Sequence, residues 1–176
     1  PEIDLRILLN YCKNSKNEII LSNFHLDQIN IEKFNLFLNR RLANEPISKI
    51  INKKSFWKDD FFVNQFVLDP RPETEGIIEQ SLNVIKNRNQ NLKILDVGTG
   101  SGAIAISLAR EFINAKITAI DISDQAIQVA KKNISEKNFD KHIDLKQISL
   151  DSINNKFDLI VSNPPYLSKK EFENIS

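Results

Sequence analysis

Ile94-Leu95-Asp96-Val97-Gly98-Thr99-Gly100-Ser101-Gly102 is the stretch from which the fold follows. Its first four residues make a short apolar strand. Its alternate glycines make a turn that permits positive φ and lets a ligand touch the main chain. Ala103 to Phe112 then has the spacing of a helix. The alternation continues: Ile117–Ile122 reads as a strand, and Asp124–Glu136 as a helix with Ala126, Ile127, Ala130 and Ile134 on its inner side. Ile143–Ile148 and Phe157–Ser162 read as two more strands, the last of them buried. Strands alternating with helices predict parallel pairing in a doubly wound α/β sheet. Such sheets bind ligands at the carboxyl ends of their strands, where the glycine turn falls. The Gly-x-Gly-x-Gly spacing is not the Gly-x-Gly-x-x-Gly that cradles a dinucleotide pyrophosphate. The next strand ends in Asp121, 19 residues after Gly102, where a carboxylate can accept both hydroxyls of a ribose. Several kinds of nucleotide-binding sheet share that feature, so it does not choose among them.

The fourth strand runs into Asn163-Pro164-Pro165-Tyr166. Two consecutive prolines forbid helix and remove two N–H donors, so the chain leaves the sheet extended and stiff. Asn163 brings a side-chain carbonyl, Pro164 a main-chain carbonyl outside any regular ladder, and Tyr166 an aromatic face. Two acceptors and a flat wall suit a planar group bearing an NH2. The lone pair of such a nitrogen is delocalised, and its nucleophilicity is poor. Accepting each of its N–H bonds orients the lone pair toward an electrophile and favours the positive charge that develops on nitrogen. No lysine or histidine base is evident. The proton is expected to leave after the nitrogen has reacted and become acidic. Taken alone, the tetrapeptide also reads as a plain proline-rich turn.

The glycine turn headed by Asp96, the strand-end Asp121 and Asn-Pro-Pro-Tyr together resemble the class I S-adenosylmethionine (SAM) methyltransferases that act on amide or exocyclic amino nitrogen. The fold class implied is α/β, a Rossmann-like class I SAM methyltransferase sheet. By that resemblance Asp96 and the loop Gly98, Thr99, Gly100, Ser101 and Gly102 hold the methionine part of SAM. Asp121 holds its ribose, and Asn163 also borders the cofactor. After the third strand the family usually carries an acid and then a bulky residue beside the adenine. Ser149-Leu150-Asp151 stands there, with the acid missing or shifted by two residues, and Leu150 is the expected adenine contact. Asn163 and Pro164 are the expected catalytic pair, and Pro165 and Tyr166 complete the substrate pocket.

Asn-Pro-Pro-Tyr occurs both in adenine N6-methyltransferases of DNA and RNA and in protein glutamine methyltransferases. Pro70-Arg71-Pro72-Glu73-Thr74-Glu75, with Phe56-Trp57 before it, is similar to the release factor glutamine methyltransferases of bacteria and organelles. That resemblance implies SAM-dependent N5-methylation of the glutamine in the Gly-Gly-Gln motif of class I peptide chain release factors. An adenine N6-methyltransferase acting on DNA or RNA is the alternative. The order implied is a helical domain over 1–52 that docks the release factor, a β-hairpin linker over 53–69, and the methyltransferase domain over 70–176. The family's sheet has seven strands against the four read here, so the methyltransferase domain is expected to be incomplete by about 100 residues. Asp69, where an apolar residue is usual, and Gly76 inside a helix depart from the pattern.

The remainder of the chain is consistent with this organisation. Residues 2–14 carry Ile3, Leu5, Leu8, Leu9 and Cys12 at helical spacing. A second helix, capped by Asp27 or Asn30, has Ile31, Phe34, Leu38 and Leu42 along one side and ends at Pro46. Ser48–Ile51 adds one turn. Ser55-Phe56-Trp57 and Phe61-Phe62-Val63 flank a polar turn at Lys58-Asp59-Asp60, a hairpin pattern. Glu73 to Lys86 reads as a helix with Ile77, Ile78, Leu82 and Ile85 on one side and acids near its positive end. The net charge of +1 and 41% hydrophobic content predict a soluble globular protein, and a cytoplasmic setting is expected. No apolar run reaches membrane-spanning length, so no membrane association is expected. One cysteine and two separated histidines predict no metal site. Arg40, Arg41, Lys49, Lys53 and Lys54 face only Glu45 in their own window. They make either a solvated face or a track for a phosphate backbone. The near-neutral first domain makes nucleic acid an unlikely substrate beside a protein one.

Overall fold

The computed structural model describes residues 2–14 and 28–164, and the chain divides after Lys53 into two compact units. In the first unit α1 (Glu2–Tyr11), α2 (Ile31–Leu42) and the single turn α3 (Ile47–Ile50) are helical, as their spacing predicts. Asn30 caps α2, its Oδ1 accepting the Lys33 N–H at 2.9 Å. Asp27, the other candidate cap, lies outside the described residues. Leu9, Cys12 and Ile29 form a small core against which Phe34 and Phe37 pack. The apolar stripe of α2 is only partly covered. Phe34, Phe37 and Leu38 are half-buried, whereas Ile31 and Leu42 are exposed. A unit this small has too little interior to bury a whole helical face.

The basic cluster is largely engaged within this unit. Arg40 donates to Glu45 at 2.7 Å and reaches the carbonyls of Lys49 and Ile50. Arg41 pairs with Asp4 at 2.8 Å, a carboxylate far outside the sequence window. The hydrogen bond between Arg40 and Glu45 raises the arginine's pKa and lowers the glutamate's.

The hairpin pairs β1 (Lys53–Phe56) with β2 (Asp59–Phe62), and its turn is Trp57-Lys58, not Lys58-Asp59-Asp60 as the polar run predicts. Trp57 takes φ 54°, a left-handed conformation disfavoured for an aromatic residue. Tertiary bonds hold it there. Its main-chain N–H donates to Glu75 Oε1 at 2.8 Å, and its indole N–H to Glu111 Oε1 at 2.8 Å. Lys58 Nζ lies 2.5 Å from the same Glu111 oxygen, with Arg88 on the other. Burial pushes the Glu111 carboxyl up, but Lys58, Trp57 and Arg88 outweigh it and hold the group below its ordinary range. Phe56 and Phe61, edge to face at 6.2 Å, are both fully buried in the main core of the second unit, which runs from Lys54.

A 3-10 turn, Pro72–Thr74, leads into α4 (Glu75–Val84), which buries Ile78 and packs Ile77 and Leu82 on the core, joined there by Ile85 just past its end. Then follow β3 (Lys93–Val97), α5 (Ala103–Glu111), β4 (Lys116–Asp121), α6 (Asp124–Glu136), β5 (Ile143–Gln147) and β6 (Leu159–Ser162). The four strands are all parallel, in the order β5-β4-β3-β6. The chain winds outward from β3 to β4 and β5, then returns to place β6 on the other side of β3. That reversal opens a crevice at the carboxyl ends of β3 and β6. β6 lies at the edge of the described sheet, so its apolar run is not buried throughout. Val161 is buried, whereas Ile160 is 60% exposed. Among the described residues, no helix is long and apolar enough to cross a membrane.

On α6, fully buried Asn133 takes a place in the predicted apolar face. Its Nδ2 donates to the carbonyls of Phe62 at 2.9 Å and Ser101 at 2.8 Å, and its Oδ1 accepts the Phe62 N–H at 2.8 Å. One amide thus pairs the open edge of β2 as a neighbouring strand would, and ties it to the glycine turn. Asn133→Ala would leave three main-chain groups without that partner. An expected loss of about 3 kcal/mol or more in unfolding free energy follows, checked by urea denaturation. A loss under about 1 kcal/mol would show that water replaces the amide.

Candidate active site

A cavity of about 510 Å³ sits in the crevice at the carboxyl ends of the strands. That volume is typical of a small-molecule site. Of the residues singled out in the sequence, Gly98, Thr99, Gly100, Ser101, Asp121, Leu150, Asn163 and Pro164 line it. Asp96 and Gly102 are not among its lining residues. Pro165 and Tyr166 lie outside the described residues.

Asp96, completely buried near the end of β3, supports the turn. Its Oδ2 accepts the Thr99 hydroxyl at 2.6 Å, while its buried Oδ1 has no hydrogen-bond partner. Burial pushes its carboxyl up to about 6; the bonds from Thr99 and the Ala105 main chain oppose that rise, and the nearby charge of Asp121 adds to it. The sign of the linkage follows. A folded pKa above the unfolded one favours the folded state at acid pH, and this contribution fades as pH climbs from about 4 to 6. The unfolding free energy of Asp96→Asn minus that of the parent is therefore expected to rise by about 2 kcal/mol between pH 4 and 7. Urea titrations at the two pH values read that difference. A difference independent of pH would mean that Asp96 is not raised.

Gly98 takes φ 70°, and a Cβ there would meet nothing within 4 Å. The floor of the cavity is thus bare main chain with open space above it. Gly102 has a different reason to be glycine. It caps α5 at φ 79°, and a Cβ would stand 3.4 Å from that of Ala130 on α6. The carboxylate of Asp121, at the end of β4, organises the rim. Its Oδ2 accepts the Gly100 N–H at 2.9 Å and its Oδ1 the Ser123 N–H at 3.0 Å. Leu150 lies in a 3-10 turn, Leu150–Ser152, and lines the cavity with its side chain half in solvent. Ile122, which the sequence places inside the second strand, has left it and is an exposed lining residue instead.

The opposite wall comes from the segment before the sheet. Phe66, Val67, Leu68, Pro70 and Thr74 line the cavity beside Asn163 and Pro164. Thr74 Oγ accepts a hydrogen bond from Asn163 Nδ2 at 3.2 Å. Pro70 and Pro72 made this stretch stiff, and the resemblance over Pro70–Glu75 implied that it borders the pocket. Nothing in the spacing of Phe66 or Leu68 announced a wall 30 residues before the glycine turn. The chemistry of the lining fits SAM: an open main-chain floor at the glycine turn and a carboxylate on the rim at the end of β4. Among the described residues, no group of histidine, cysteine or acidic side chains could hold a metal ion.

Comparison with known proteins agrees with this geometry. The release factor glutamine methyltransferase of Buchnera aphidicola subsp. Baizongia pistaciae is 41% identical over 177 residues, covering 99% of this chain and 64% of that protein. A bifunctional methyltransferase of Rickettsia typhi is 40% identical over 192 residues, covering 97% of this chain and 37% of that protein. The chain therefore spans less than two thirds of the length of either relative. The crystal structure of a SAM-dependent methyltransferase from Agrobacterium tumefaciens superposes with a TM-score of 0.52 at 22% identity, over 64% of this chain and 39% of that one. That likeness is one of fold, and the fold is the class I SAM methyltransferase sheet. The model of the methyltransferase small domain matches residues 80–175. That match takes in the sheet from β3 to β6 and more than half of the sequence, and the chain belongs to the methyltransferase small domain family.

Proposed function

We propose that the protein is a protein-(glutamine-N5) methyltransferase, which transfers a methyl group from SAM to the side-chain amide of a release-factor glutamine. The acceptor in this reading is the glutamine of the Gly-Gly-Gln motif of class I factors. The observation that carries it is the meeting, in one cavity, of the glycine turn and Asp121 with Asn163 and Pro164. SAM supplies, when bound, an electrophilic methyl group on a positively charged sulfur. The chain's own residues do the rest. The open turn at Gly98 and Gly100 receives the methionine part, and Asp121 accepts the ribose hydroxyls while its bonds to the main chain keep it in place. The Asn163 side-chain carbonyl and the Pro164 main-chain carbonyl each accept one N–H of the glutamine amide. The nitrogen lone pair is then directed at the methyl carbon, and the positive charge that forms on nitrogen meets two carbonyl dipoles. The proton is lost to water after transfer. Phe66, Leu68 and Pro70 form the other wall of the cavity.

The substrate class is supported by the names of the relatives and by Pro70–Glu75, two of whose residues line the cavity. In the same reading residues 1–52 dock the release factor, 53–69 join the parts, and 70–176 carry the chemistry. Arg40 and Arg41, already engaged with carboxylates, do not make a phosphate track. The test is transfer of labelled methyl from SAM by the whole protein. The acceptors are a release factor with its Gly-Gly-Gln glutamine intact or replaced, and unmodified duplex DNA. Label on the intact factor alone is the expected result. Label on DNA alone would overturn the substrate assignment.

A further inference from the structure

Pro70 and Pro72 stiffen the segment that enters α4, and its polar side chains reach far from it. Thr74 is nearly buried, lines the cavity, and meets an asparagine 89 residues away across the crevice. We propose that Thr74 is a positioning residue that holds the Asn163 amide in place for the substrate, with its NH2 end on the Thr74 hydroxyl and its carbonyl end turned away from Thr74. The inference rests on the reading of Asn163 as the acceptor of the reacting NH2. The two ends of a primary amide are alike in shape and opposite in hydrogen bonding, and only the carbonyl end accepts. Turned around, Asn163 would present an NH2 to an NH2, and two donors repel.

Thr74 Oγ accepts from the Nδ2 end at 3.2 Å, which directs the carbonyl end away from Thr74. Thr74 is itself well held. Its N–H closes the 3-10 turn on the Arg71 carbonyl at 3.0 Å, between Pro72 and the first turn of α4. The next residue, Glu75, accepts the main-chain N–H of Trp57 at 2.8 Å. The segment is therefore anchored on the hairpin at one residue and on Asn163 at its neighbour. A misplacement there is felt at the reacting nitrogen, where small errors of orientation cost much in rate.

The test compares Thr74→Val, which keeps the shape and loses the hydroxyl, with Thr74→Ser, which keeps the hydroxyl and loses the methyl. Both are made in the whole protein. For Thr74→Val, kcat with the release factor is expected to fall about tenfold, with KM for the factor and Kd for SAM within about twofold of the parent. Thr74→Ser is expected to stay close to the parent. The side-chain NH2 resonances of Asn163, read by NMR without cofactor, should shift and exchange faster in Thr74→Val and not in Thr74→Ser. Unchanged resonances with unchanged kcat in Thr74→Val would overturn the proposal. So would a Thr74→Ser as impaired as Thr74→Val, which would make the methyl's packing the cause. If the parent labels another NH2 acceptor and not the release factor, the substrate assignment fails. The same pair of variants then judges Thr74 on that acceptor, and the NMR comparison judges it on none.

Discussion

Asn163→Ala is expected to lower methyl transfer by about a thousandfold while SAM still binds within a few-fold of the parent affinity. The size follows from what the side chain is asked to supply. An amide nitrogen is a poor nucleophile until its N–H bonds are held and its lone pair is turned out of conjugation. The alanine variant leaves Pro164 as the remaining acceptor, so the amide can rotate about its other hydrogen bond. Removing a single group that stabilises developing charge in this way costs about two to three powers of ten. Most of the cavity is untouched by the change, because the glycine turn and Asp121 belong to β3 and β4. The measurement is single-turnover transfer of labelled methyl beside a calorimetric titration with SAM. Turnover retained within tenfold would remove Asn163 from the chemistry, and Thr74 with it.

Asp121→Ala is expected to weaken SAM binding by at least about a hundredfold, with the fold retained. The loss has two sources. In the proposed function the carboxylate accepts the ribose hydroxyls, and it also holds the Gly100 and Ser123 N–H groups at 2.9 and 3.0 Å. Hydrogen bonds to a charged acceptor are each worth about 1.5–3 kcal/mol, so losing the ribose contacts and loosening the turn together exceed the roughly 2.7 kcal/mol of a hundredfold change. Asp121→Asn keeps one acceptor and is expected to fall between the two. Burial is the main cause of the raised Asp96 pKa and the Asp121 charge the smallest, so Asp121→Ala should lower it only slightly. Affinity unchanged in Asp121→Ala would mean that the ribose is held elsewhere, and the Ile122 and Leu150 side of the cavity would have to be reassigned.

Much of this was already legible in the chain. The period of apolar residues from Ile94 onward determined a parallel α/β sheet, because only alternation of strand and helix lets each element bury its one apolar side. The glycine turn, Asp121 and Asn163-Pro164 were legible for a related reason. Positive φ, a strand-end carboxylate and consecutive prolines are local demands, met by particular residue types wherever they occur. What only the tertiary structure decided was everything that depends on partners distant in sequence. Trp57 holds a left-handed turn because Glu75 and Glu111 accept its two N–H groups. Arg41 could be read as part of a solvated face or of a phosphate track until α1 brought Asp4 to it. Asn133 interrupts an apolar helix face because β2 and the glycine turn both need its amide. Asp96 is buried beneath the turn and does not line the cavity, since burial depends on the layers stacked around β3 and not on β3 itself. Thr74 met Asn163 across 89 residues for the same reason: a hydrogen bond between distant segments leaves no period or spacing to read, and it exists only once the crevice has closed.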